Sequence, residues 1–125
     1  MKVLIFGNKC NEEVIQYAKI LFDILQERGA EIFLEIDFCQ FLIEKGINMS
    51  FEHSIINENN IDADLAFSIG GDGTFIRTAA KIGRREIPIL GINAGRLGFL
   101  ADVSGDEIIR SVNEIMDGRY RIEDH

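Results

Sequence analysis

Leu65-Ala66-Phe67-Ser68-Ile69-Gly70-Gly71-Asp72-Gly73-Thr74 carries a mainly apolar strand straight into a turn that holds glycines, one carboxylate and one hydroxyl. Glycines at such a turn let the chain bend sharply and let a ligand come close to the main chain. The residues that follow have helical spacing, so the turn opens a helix whose first N–H groups lack intrahelical acceptors and suit a phosphate. A strand, a glycine turn and a helix in that order are the unit of a parallel α/β sheet. Asp72 is the one acid in the turn.

The rest of the chain repeats the unit. Val3-Leu4-Ile5-Phe6 is a short unbroken apolar run, as expected of a strand covered on both faces, and Gly7-Asn8 turns it. A helix is expected from Asn11, which can cap it, with Val14, Ala18, Leu21, Phe22 and Leu25 on one stripe and Gly29 at its end. Glu31 to Asp37 reads as a second strand near an edge, with Ile32, Leu34 and Ile36 on one side. Asp37 can cap a short helix over residues 38–45, closed by Gly46. Residues 47–61 are asparagine-rich and loop-like, although Ile55-Ile56 could add a brief strand.

After the central turn, Phe75, Ile76, Ala79, Ala80 and Gly83 are expected on the packed side of the helix. Ile89-Leu90-Gly91-Ile92 is the next strand, followed by a second glycine-rich turn over residues 93–98. Ser104 and Glu107 form a capping box for a last helix, with Ile108, Ile109, Val112, Ile115 and Met116 as its stripe and Gly118 as its stop. The fold class is therefore α/β, a Rossmann-like, mostly parallel sheet with flanking helices. In such sheets ligands sit at the carboxyl ends of the strands, where the strand order reverses. Tyr120-Arg121-Ile122 alternates like a strand beginning. Residues 1–118 thus read as one α/β domain and residues 119–125 as a linker or the first strand of another, absent domain.

Bulk properties narrow the functions. The chain has 125 residues, 46% apolar and 27% charged, with a formal charge of −8. That acidity argues against a protein that tracks a nucleic-acid backbone, but leaves nucleotides open. No apolar run approaches membrane-spanning length. Cys10 and Cys39 have no metal-ligand spacing and read as reduced thiols of a cytoplasmic protein. No carboxylate set has metal-site spacing, so a divalent metal, magnesium, is expected to arrive with nucleotide phosphates.

The turn lacks the lysine of a P-loop, because Gly73 is followed by Thr74-Phe75, and it supplies only half of the dinucleotide fingerprint. An aspartate at a helix start is favoured in its ionised form and could take a proton from a hydroxyl nucleophile. It could equally be a helix cap. Arg77 could lean back to a phosphate at the turn, or belong with Lys81 and Arg84 to a solvated basic stripe. Thr74 could be no more than a helix cap, Asn93 no more than a turn-former and Arg96 no more than a surface residue, and Phe99 could simply be core.

Taken together, Gly70-Gly71-Asp72-Gly73-Thr74 and Gly91-Ile92-Asn93-Ala94-Gly95-Arg96-Leu97-Gly98-Phe99-Leu100 strongly resemble the NAD kinases, across the whole chain. The glycine-aspartate turn alone recurs in diacylglycerol and sphingosine kinases and in 6-phosphofructokinases; the second motif is what singles the family out. The resemblance implies the N-terminal domain of the NAD kinase and 6-phosphofructokinase-like fold. It implies phosphorylation of the adenosine ribose 2′-hydroxyl of NAD to NADP, from ATP or polyphosphate, in a homo-oligomer (dimer or tetramer). By the same resemblance Asp72 is the proton acceptor and contacts NAD, Gly73 and Arg77 line the NAD site, and Phe99 packs near the adenine. Gly70, Gly71, Thr74 and Asn93 are the turn positions expected around the phosphates. The family's second domain, with an Asn-Glu or Asn-Asp pair, has no counterpart here, so this chain alone is expected to be inactive. Two alternatives stand beside this reading, a lipid kinase of the diacylglycerol or sphingosine type and a non-catalytic nucleotide-binding domain.

Overall fold

The computed structural model describes residues 1–9, 12–93 and 105–118. Along the chain run β1 (Lys2–Gly7), α1 (Glu13–Glu27), β2 (Glu31–Leu34), α2 (Ile36–Glu44), β3 (Ser54–Ile55), β4 (Leu65–Gly70), α3 (Asp72–Ile82), β5 (Ile89–Asn93) and α4 (Gly105–Met116). The strands form one sheet in the order β3-β2-β1-β4-β5, and every neighbouring pair is parallel. From β1 the chain first moves outward through β2 to β3, then returns to place β4 on the other side of β1. The order therefore reverses between β1 and β4.

The apolar pattern explains the layers. β1 and β4 are buried along almost their whole length, as central strands covered on both faces must be. Val3, Ile5, Phe67 and Ile69 face a large core shared with α1, α2 and α4. Leu4, Phe6 and Ala66 face the opposite layer, where they meet Ile82 of α3. The expected stripe of α1 is buried in full, and Gly29 ends that helix at a φ of 68° that favours glycine. α4 lies on α1, joined at the surface by Arg28, which donates to Asn113 at 2.8 Å and pairs with Asp117 at 2.8 Å.

Several expectations need correction. β2 ends at Leu34, and α2 begins at Ile36 with Glu35 in the cap position, so Asp37 lies within the first helical turn and Ile36 is 52% exposed. β2 does lie next to an edge, as expected, and the brief strand expected near Ile55 is β3, which pairs outside it through Phe33 with Ser54 and Leu34 with Ile55. In α3 the buried stripe is Thr74, Thr78 and Ile82, whereas Phe75 and Ile76 are exposed, as are Ala80 and Gly83. The Thr78 hydroxyl donates to the Thr74 carbonyl at 2.8 Å, which satisfies a polar group inside the packed layer. In α4, Ile108 and Val112 are buried but Ile109 is exposed. Asn11, Cys10, Ser104, the side chain of Glu107 and the expected strand at residues 120–122 lie outside the described residues.

Candidate active site

Two strand ends make the floor of the site. Gly7 ends β1 and pairs in register with Ile69, so the turns after β1 and β4 lie side by side. The Asn8 amide donates to the Ile69 carbonyl at 2.9 Å and ties them together. Both floor glycines are sterically required. A Cβ on Gly7 would lie 2.3 Å from the ring of Phe38, and one on Gly70 would lie 2.6 Å from Thr74 Oγ1 and 2.8 Å from Asn8 Cβ. Thr74 is thus buried beneath Gly70 as part of the packing.

Gly71 and Gly73 are different. A Cβ built on either meets none of the described residues within 4 Å, and neither has positive φ. Gly71 stands in the N-cap position of α3 without a side-chain cap, and the helix opens with the Phe75 amide donating to the Gly71 carbonyl at 3.1 Å. The N–H groups just before Phe75 have no acceptor within the helix. Asp72, the first residue of α3, lies between these glycines and is exposed. Its carboxylate has no hydrogen bond or ion pair among the described residues.

Over this floor opens a cavity of about 550 Å³, lined by Gly7, Asn8, Lys9, Glu35, Asp37, Gly71, Gly73, Thr74, Arg77 and Lys81. Three basic side chains stand against two acidic ones, before Asp72 at the rim is counted, in a chain whose overall balance is acidic. Lys9 and Asp37 form an exposed pair at 3.7 Å, worth little to stability.

Arg77 lines the cavity, and its side chain is held from other strand ends than that of the glycine turn. Its guanidinium bonds Glu35 Oε2 and donates to the Gly7 carbonyl at 2.9 Å, bridging α3 to the ends of β2 and β1. Glu35, Lys9 and Asp37 are cavity residues that sequence reasoning did not assign. Their available signal was position alone, since each follows the carboxyl end of a strand.

Asn93 pairs in register with Gly70, so its backbone reaches the same edge, but its side chain and Phe99 lie outside the described residues, as does Arg96. Cys39 is buried, 3.9 Å from His53 Nε2, and burial pushes its thiol above the ordinary value, which keeps it protonated and unreactive. Among the described residues no group of three His, Cys, Asp or Glu side chains could hold a metal ion, and no helix is long and apolar enough to cross a membrane.

A doubly wound parallel sheet with a glycine-rimmed, partly basic cavity at its switch point is the layout in which open α/β domains, nucleotide-binding ones among them, hold their ligands. Comparison with known proteins narrows this. The profile of the ATP-NAD kinase N-terminal domain matches residues 3–120, and the chain belongs to that family. It is 44% identical over 125 residues to an NAD kinase of Bacteroides fragilis, covering 99% of this chain and 43% of the relative. An NAD kinase of Porphyromonas gingivalis is 38% identical, with 98% of this chain and 42% of the relative covered. Yeast NADH kinase, solved in complex with NADH, shares the fold at a TM-score of 0.77 and 18% identity, over 95% of this chain and 36% of that one. The chain thus spans less than half the length of these relatives.

Proposed function

We propose that the protein is an NAD kinase and that this domain supplies the side of its active site that activates the acceptor hydroxyl. The phosphoryl group passes from ATP, or from polyphosphate, to the 2′-hydroxyl of the adenosine ribose of NAD, giving NADP. The Asp72 carboxylate takes the proton as the ribose oxygen bonds to the terminal phosphorus and the bond to the leaving phosphate oxygen breaks. The N–H groups at the start of α3, with Arg77 and Lys81, oppose the charge of the phosphates.

One observation carries this reading. Gly71 and Gly73 flank an exposed Asp72 where none of the described residues imposes a steric need for glycine, and open space there suits an incoming ligand. The described residues offer no cluster that fits a resident divalent ion, and no step is assigned to one. Magnesium enters the proposal only as a companion of the donor phosphates. The preference for this substrate, the cytoplasmic location and assembly as a homo-oligomer rest on membership of the family and on the resemblance of the two glycine motifs.

The test is Asp72→Ala in the protein at its full natural length, assayed for NADP formation. Loss of a positioned proton acceptor is expected to lower turnover roughly 100- to 10,000-fold. Because Asp72 is exposed, the melting temperature is expected to hold. Near-normal turnover would remove Asp72 from the mechanism.

A further inference from the structure

We infer that Glu35 is a positioning residue of this site: it fixes the Arg77 guanidinium at the crevice between β1 and β4, so that Arg77 meets the dinucleotide in one orientation. The inference rests on the proposed NAD kinase reading and adds a residue from a different strand end.

Helix capping does not account for Glu35. It occupies the N-cap position of α2 with extended backbone, yet its side chain makes no cap bond, and glutamate is not among the residues favoured there. Its carboxylate turns to Arg77 instead. The Glu35 side chain is only 13% exposed and that of Arg77 40%, so the pair is partly withdrawn from water. Fold stability is a weak account of the pair as well. Taking two charges out of water offsets most of their attraction, and apolar residues of similar size commonly serve the fold as well.

Geometry gives the pair another use. One terminal guanidinium nitrogen, Nη1, is engaged by Glu35 and the other, Nη2, by the Gly7 carbonyl, so two acceptors on different elements fix the plane of the group. Arginine has five N–H donors in a rigid fork, so donors remain for a ligand after these two contacts. Lysine, a point charge on a flexible stem, could not be set in the same way. Both members line the cavity that Gly71 and Gly73 also line. Orientation is what such an anchor supplies, and loss of orientation is costly even when no ligand contact is deleted.

Steady-state kinetics of the protein at its full natural length test this, with Glu35→Gln, Glu35→Ala, Arg77→Ala and the Glu35→Ala/Arg77→Ala double variant. Glu35→Ala is expected to raise KM for NAD roughly tenfold while kcat changes less than about twofold. Arg77→Ala should do at least as much, and the double variant no more than Arg77→Ala alone, because Glu35 acts through Arg77. Glu35→Gln keeps an acceptor oxygen and should fall between wild type and Glu35→Ala. If Glu35→Ala does not fold, the coupling of Glu35→Gln to Arg77→Ala decides in its place. Wild-type KM in a folded Glu35 variant, or an effect undiminished in the Arg77→Ala background, overturns the inference. A wild-type protein that forms no NADP marks failure of the proposed function itself, and the inference falls with it.

Discussion

The floor and the rim of the cavity are both made of glycine, for opposite reasons. At the floor, Gly7 and Gly70 are glycines because the protein fills the space: Phe38 closes on one, Thr74 and Asn8 on the other. At the rim, Gly71 and Gly73 are glycines although none of the described residues crowds them. On the proposed function, the floor belongs to packing and the rim to the ligand. A substitution at the floor should therefore show first in stability, and one at the rim first in catalysis.

The largest expected effect is at the rim, in the loss of turnover proposed for Asp72→Ala with the melting temperature unchanged. A fall in both would blur the division. Next comes the floor. Gly7→Ala drives a methyl group into the Phe38 ring, and overpacking of this kind costs about 1–3 kcal/mol. Denaturant unfolding should show that loss as a lower midpoint with an unchanged slope, and an unaltered midpoint would mean that Phe38 moves freely aside. The smallest effect belongs to the packing beneath the rim. Thr78→Val keeps the shape but removes the hydroxyl donor to the Thr74 carbonyl, and about 1 kcal/mol should be lost. A melting curve checks this, and NAD turnover should stay near wild type.

The same division marks what could be read from the sequence. The central strands, the α1 stripe and the glycine turn were legible because local periodicity and turn chemistry suffice for them. The packed face of α3 was not. Hydropathy puts Phe75 and Ile76 inside, but the helix starts at Asp72 and is locked by Thr74 under Gly70, which turns the stripe to Thr74, Thr78 and Ile82. Phe75 lies instead against Gly91 of β5, where an added Cβ would be 3.2 Å from its ring. Glu35 was illegible for another reason. Within its own segment it continues a strand of alternating residues, and its partner Arg77 is 42 positions away. Nothing local in the sequence signals that meeting; only the reversal of strand order between β1 and β4 brings it about.

The most direct test of the division between floor and rim is one variant measured in two ways. Gly73 lies inside α3, with no positive φ and none of the described residues within 4 Å of a Cβ built on it. Gly73→Ala should therefore leave the fold as stable or raise its stability by up to about 1 kcal/mol, because alanine is the better helix former. In the same preparation, NAD phosphorylation should fall roughly a hundredfold, since the new methyl group stands where the ligand must approach. A protein at least as stable as wild type that has lost turnover is the predicted result. Turnover within about twofold of wild type would contradict the account, because a rim that accepts a side chain is not shaped for a ligand.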